Sequence, residues 1–219
     1  MLTDEQKRII EKTKIYVNKK LSGEGSGHDF FHAERVLKTS LHICKIENAD
    51  EYIVSLSALL HDIDDWKFSS DNKTNTENIS AFLKSVNADD VTINKVTGII
   101  KTLSYKGGVT DSSQSSLEGK IVQDADRLDA IGAIGIARTF TYGGNRHQII
   151  YDPSVKPVQY YTLSQVKNEK NNTINHFYEK LLKLKDLMNT NEGKRLAVKR
   201  HDYMKEFLEE FYREWNCEY

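Results

Sequence analysis

Asp50-Glu-Tyr-Ile-Val-Ser-Leu-Ser-Ala-Leu-Leu-His-Asp-Ile-Asp-Asp-Trp-Lys-Phe68 is the stretch that decides how this chain reads. From Tyr52 to Leu60 it is apolar or small on every side. A run of that kind is far short of the ~20 residues needed to cross a membrane, and it suits a helix buried all round. It ends in an imidazole and a carboxylate, His61-Asp62, two metal-ligand types placed where a core meets a cavity. The His-Asp pair also occurs at His28-Asp29 and His201-Asp202, so the dipeptide means something only in context.

Working outward, amphipathic periodicity predicts helices over Thr3–Leu21, His28–Glu47, Asp50–His61, Asn75–Val86, Asp89–Leu103, Ser115–Tyr142, Thr162–Met188 and Glu192–Trp215. Ser26-Gly27 offers a helix start, Ser115 with Glu118 a capping box, and Asn87-Ala-Asp-Asp90 a fresh cap. Gly107-Gly108 and Gly143-Gly144 read as turns, and Gln148-Ile-Ile-Tyr151 as a short extended piece beside the only two prolines, Pro153 and Pro157. The expected fold class is all-α: one domain over residues 1–219, with C-terminal helices (about 160–216) packing on a helical core.

Bulk properties exclude several classes. The net charge is −1, so no basic excess points to a nucleic-acid polymer. No stretch has the length of a membrane span, and the N-terminus lacks the apolar core of a signal peptide. Two cysteines, Cys44 and Cys217, are too few for a disulfide framework, which places the protein in the cytoplasm. A homodimer is compatible with all of this.

Two further helices carry candidate ligands. His28 and His32 are four apart and share a face, with Arg35 three further on. Near a helix N-terminus, His28 is poorly placed to stay charged, so a neutral imidazole that ligates or accepts fits better. On Ser115–Tyr142, Val122, Asp126, Asp129 and Ala133 form one stripe beside Ile121, Ala125 and Leu128, while Asp124 points away. Carboxylates on a core-facing stripe are costly unless bound to a metal or paired with Arg or Lys, a pairing most credible for Asp129. Gly132, Ala133, Gly135 and Ala137 suggest close approach of another helix or a ligand.

His32, His61, Asp62 and Asp126 could thus close around one divalent cation. Two imidazoles and two carboxylates without a thiolate suit Mn²⁺, Fe²⁺, Co²⁺ or Mg²⁺ and argue against a structural cysteine–zinc site. Four protein ligands leave two octahedral positions open. Asp64 and Asp65 follow at once and could orient or deprotonate an attacking water, and Lys67 could balance phosphate charge. The plain alternatives are an acidic loop in solvent and a helical scaffold whose charges pair with one another.

His32 … His61-Asp62 … Asp126 resembles the H…HD…D signature of the HD-domain superfamily of metal-dependent phosphohydrolases. Gly27-His-Asp-Phe-Phe-His-Ala-Glu-Arg-Val36, His61-Asp-Ile-Asp-Asp-Trp-Lys-Phe68, Gln123-Asp-Ala-Asp-Arg-Leu-Asp-Ala-Ile-Gly-Ala-Ile-Gly-Ile-Ala-Arg138, Tyr142-Gly-Gly144 with Tyr151-Asp-Pro153, and Asn175-His-Phe-Tyr-Glu-Lys180 are similar to its YpgQ/YedJ-like bacterial branch, over roughly residues 3–216. The resemblance implies an HD-type helical bundle with His32, His61, Asp62 and Asp126 as metal ligands. The implied ion is divalent, Mn²⁺ favoured, with Mg²⁺, Co²⁺, Fe²⁺ or Ni²⁺ as alternatives. It also implies hydrolysis of a small-molecule nucleotide or other phosphate ester. At least one branch member is associated with Mn²⁺-dependent pyrophosphohydrolysis of nucleoside triphosphates. Nucleoside monophosphates, alarmones and cyclic nucleotides are alternative substrates, and a non-catalytic nucleotide sensor is an alternative class. In that frame Asp65 is the expected base, with Asp64 as runner-up. Arg35, Lys67, Arg138 and Arg146 are the expected phosphate contacts, and His28 a substrate contact or second-metal ligand. Tyr142 and Tyr151 would pack in the core or stack on a base. His42, His176 and His201 read as structural or surface residues, and His147 is undecided.

Overall fold

Six helices begin on a side-chain cap that the sequence supplies at the right spacing. Thr3 and Gln6 form a reciprocal capping box at the start of α1 (Asp4–Lys20). Asp29 accepts from the His32 backbone N–H at 2.8 Å and starts α2 (Phe30–Glu47). Asp50 accepts from the N–H groups of Tyr52 and Ile53 and starts α3 (Glu51–Leu60). Asp89 caps α5 (Asp90–Lys101), Ser116 caps α6 (Leu117–Asp129), and Thr190 caps α9 (Asn191–Trp215). The other helices are α4 (Glu77–Ser85), α7 (Gly132–Asn145), the short α8 (Asn175–Glu179) and a 3₁₀ turn, Leu181–Leu187. The computed structural model describes residues 1–22, 29–63, 76–103, 112–159 and 172–218. Among these the fold is all-α, with no strand.

Helix α3 is the hub. Each of its residues from Tyr52 to Leu60 is buried, and it lies against α1, α2, α5 and α6. Leu56, Leu59 and Leu60 are sealed from solvent. Each contributes roughly 1.5–3 kcal/mol by leaving water. Helix α2 lies across both α3 and α6, and α9 closes the far side against α6 and α7. Phe140, Phe177 and Phe207 cluster between α7, α8 and α9, with Phe177 stacked on Phe207 and Phe140 tilted or edge-on to both.

Several expectations need correction. The single helix Ser115–Tyr142 is two helices broken at Ala130-Ile131, because Gly132 turns the chain at φ +76°, where an L side chain is strained. The cap of α6 is Ser116, not Ser115, and Glu118 instead accepts from the Asp50 backbone N–H. Asp124 does not point away. It is fully buried and accepts four hydrogen bonds from the backbone and side chains of Asn189 and Thr190. Gly143-Gly144 is no turn but the last part of α7, with Gly143 pressed against Thr173. Residues 148–151 form no strand, although the carbonyls of Ile149 and Ile150 accept from Thr173 and Ile174. In place of the C-terminal part of the helix Thr162–Met188 stand α8 and the 3₁₀ turn. Ser26-Gly27 and Gly107-Gly108 lie outside the described residues.

Candidate metal centre

Three helices bring four side chains to one point. His32 sits in the first turn of α2, His61 and Asp62 just beyond α3, and Asp126 in the last turn of α6. His32 is completely buried, His61 and Asp62 nearly so, while the Asp126 side chain is 31% exposed and opens the cluster to solvent.

The two imidazoles have their tautomers set from behind. The Nδ1 of His61 donates to the Ala58 carbonyl at 2.8 Å, using one of the acceptors that the end of α3 leaves without a helical partner. The Nδ1 of His32 donates to Asp129 Oδ2 at 2.7 Å. Each neutral ring then turns its Nε2 lone pair towards the cluster, and the two Nε2 atoms lie 3.1 Å apart. The carboxylates add to this. Asp62 Oδ2 stands 3.3 Å from His32 Nε2 and 3.5 Å from His61 Nε2, and Asp126 Oδ1 stands 3.5 and 3.8 Å from the same atoms. Facing lone pairs and carboxylate oxygens repel unless something positive lies between them.

A divalent cation fits that requirement. With metal–donor bonds of about 2.1 Å, adjacent ligands of one ion lie roughly 3.0 Å apart and opposed ones about 4.2 Å. The donors of His32, His61 and Asp126 all lie within 4.8 Å of one another, and Asp62 falls in the same range from both rings. The electrostatics agree with a cluster built for positive charge. Burial disfavours a charged His32, yet the carboxylates of Asp129 and Asp62 beside it outweigh this and raise its pKa. Burial likewise opposes ionisation of Asp126, but the adjacent His61 and His32 hold its pKa low.

Asp129, expected on the core-facing stripe as a partner for arginine, pairs with two arginines and also holds a histidine. It is 5% exposed and accepts from His32 Nδ1, from Arg35 Nε at 2.7 Å and Nη2 at 3.0 Å, and from Arg138 Nη1 at 2.8 Å. Burial pushes its carboxyl up, but these partners carry it well below the usual carboxylate range. Its signal was present as two matching spacings, His32/Arg35 on α2 and Asp126/Asp129 on α6, which face each other across the helix pair.

The structure brings together only part of the expected substrate set. Arg35 and Arg138 reach the centre but hold Asp129, with their side chains 34% and 16% exposed. Arg146 is exposed at the C-cap of α7, two helical turns beyond Arg138. His28, Asp64, Asp65 and Lys67 lie outside the described residues. Tyr151 packs against Phe211, Tyr212 and Trp215, whereas Tyr142 is 40% exposed. His42 Nε2 donates to Glu192 Oε1 at 2.7 Å and links α2 to α9.

This geometry can be set beside known proteins. The HD domain family matches residues 30–131, a span that begins with α2 and ends just after α6. The uncharacterized protein YpgQ of Bacillus subtilis (strain 168) is 35% identical over 199 residues, covering 90% of this chain and 89% of YpgQ. A solved structure from Lactobacillus plantarum superposes with a TM-score of 0.87 at 36% identity, over 100% of both chains. An HD-superfamily hydrolase from Bacillus thuringiensis gives 0.76 at 40% identity, covering 97% of this chain and 100% of its own. B. subtilis YpgQ in complex with ADP gives 0.75 at 31% identity, covering 94% and 97%. The chain belongs to the HD-domain family. It is accordingly an HD-superfamily hydrolase, a metal-dependent phosphohydrolase. Among its described residues no helix is long and apolar enough to cross a membrane.

Proposed function

We propose that this chain hydrolyses nucleotides, cleaving (deoxy)nucleoside triphosphates to the monophosphate and pyrophosphate with Mn²⁺ as the favoured ion. The observation that carries the reading is the convergence of His32 Nε2, His61 Nε2, Asp62 and Asp126 with no thiolate among them. That B. subtilis YpgQ was solved in complex with ADP supports a nucleotide as the ligand.

A divalent cation held there supplies Lewis acidity, lowering the pKa of a water and polarising a phosphoryl oxygen. His32, His61, Asp62 and Asp126 hold it, and the Nδ1–H bonds to Asp129 and Ala58 keep both rings aimed. Water attacks the α-phosphorus, the bond from that phosphorus to the bridging oxygen breaks, and pyrophosphate leaves. Asp65, or Asp64 beside it, takes the proton of the water. Lys67, Arg35, Arg138, Arg146 and His28 contact the phosphates or the nucleotide. Residues 1–219 act as one unit, in the cytoplasm.

The test is a nucleotide panel with Mn²⁺, Mg²⁺ and Co²⁺, resolving phosphate from pyrophosphate. Pyrophosphate release from triphosphates, stimulated by Mn²⁺ and lost in His61→Ala and Asp62→Ala, is the expected result. Full Mn²⁺-stimulated hydrolysis in both variants overturns the reading of the site. Release of phosphate alone overturns the bond assigned.

A further inference from the structure

We infer that Asp129 is the positioning residue of this centre, and that its charge keeps two guanidinium groups beside a divalent cation from expelling it. The inference rests on the metal reading above and deepens it. One buried carboxylate meets three cationic or proton-donating groups: His32 from α2, Arg35 from α2 and Arg138 from α7. Its Oδ2 accepts from all three, and its Oδ1 accepts from Arg35 Nε.

Two consequences follow from this arrangement. An ionised carboxylate can only accept, so the proton of neutral His32 stays on Nδ1 and the Nε2 lone pair faces the cluster. The second consequence is electrostatic. Arg35 and Arg138 are fixed within one carboxylate of a ring that reaches the donor cluster, and the side chains of that ring and that carboxylate, His32 and Asp129, are 0% and 7% exposed. Like charges so placed repel strongly. With Asp129 ionised, the three side chains Asp129, Arg35 and Arg138 sum to one positive charge. Without its charge they sum to two, next to a doubly charged ion. Phosphate-binding cations and a metal can therefore share this space because Asp129 stands between them. It contacts His32 rather than the ion or the reacting atoms, so it acts through its neighbours.

The experiment is calorimetric titration of the full chain with Mn²⁺ alone, with circular dichroism and melting curves to check folding. Asp129→Asn keeps the shape but removes the charge, and it should weaken Mn²⁺ binding on the order of 10- to 100-fold. Asp129→Glu should restore part of the loss. Adding Arg138→Gln to Asp129→Asn should also recover affinity, because it removes one of the repelling charges. A merely structural Asp129 predicts the opposite, since a second lost contact loosens the site further. Arg138→Gln alone should bind Mn²⁺ at least as tightly as wild type, and this test stands even where Asp129→Asn does not fold. Equal binding by wild type and Asp129→Asn overturns the inference, as does a double variant no tighter than the single one. A wild-type chain that binds no Mn²⁺ overturns the metal reading itself, a different result.

Discussion

Replacing Asp124 by alanine should unfold this protein more readily than any change at the exposed helix surface. Its carboxylate is fully buried and receives the backbone N–H of Asn189 at 2.8 Å and of Thr190 at 2.7 Å, with the side chains of both residues at 2.8 Å. The Thr190 hydroxyl keeps a partner, because it also accepts from Gly193 N–H at 2.9 Å. The two backbone donors have no such recourse. The buried Thr190 N–H costs about 1–3 kcal/mol when left alone, and the half-buried Asn189 N–H roughly 1 kcal/mol. The sum is about 2–4 kcal/mol out of a total stability of about 5–15. That corresponds to roughly 6–12 °C in Tm for a mid-range loss in a chain of this size. Urea unfolding read by circular dichroism measures it directly, with the m-value expected unchanged. An internal check comes from Gly193, where a Cβ would collide with Asp124 Oδ2. Gly193→Ala should cost about 1–3 kcal/mol in the wild type and clearly less once Asp124 is alanine, a coupling of about 1 kcal/mol. A loss below about 0.5 kcal/mol for Asp124→Ala, or strict additivity of the pair, would refute this account of how α6 is tied to α9.

Gly132→Ala should destabilise by about 1–2 kcal/mol in the same assay, because φ +76° is left-handed and the new methyl would press on Arg200. Hydrogen bonds from Arg195 and His42 hold the Glu192 carboxyl down at about 2, against an ordinary value of 4.5. The stability it contributes is therefore complete above pH 4.5 and lost as pH falls towards 2; Glu192→Gln should flatten that limb of the stability–pH curve. Removing divalent metal with a chelator should lower Tm, and Mn²⁺ at 100 times its Kd should restore about 2.7 kcal/mol, or roughly 5–11 °C, by thermal melting. An unchanged melt would argue against a cation among the four donors.

Much of the fold could be read because local chemistry and global packing agree. Asp29, Asp50, Asp89 and Thr190 sit where the chain needs an acceptor for free N–H groups, so helix starts fall within a residue or two of expectation. The uniformly apolar Tyr52–Leu60 could only be a central element. Asp124 was misplaced for a physical reason. A 3.6-residue period implies one buried face, but α6 is enclosed by α2 and α3 on one side and α9 on another. A helix wrapped all round has no outward face on which to leave a carboxylate, so Asp124 is buried and capped. The break at Gly132 was hidden because a glycine that lets helices approach and one that takes a positive φ look alike in a sequence. Asp129 was recognised as a partner for arginine. Its contact with His32 depends on the angle between α2 and α6, which no spacing along one strand of sequence specifies.

The short break between α6 and α7 bears on which changes in chain length the protein can absorb. Asp126 and Asp129 lie before it and Arg138 after it, and a Cβ at Gly135 would already collide with the Ala130 carbonyl. The junction therefore has no slack. One residue inserted between Gly132 and Arg138 would swing the Arg138 side chain by about 100° around its helix axis and away from Asp129. Related sequences should vary in length at exposed connections such as 148–158 and keep a fixed count from Asp126 to Arg138. That count would be a sharper marker of this site in a new genome than the His-Asp pair itself.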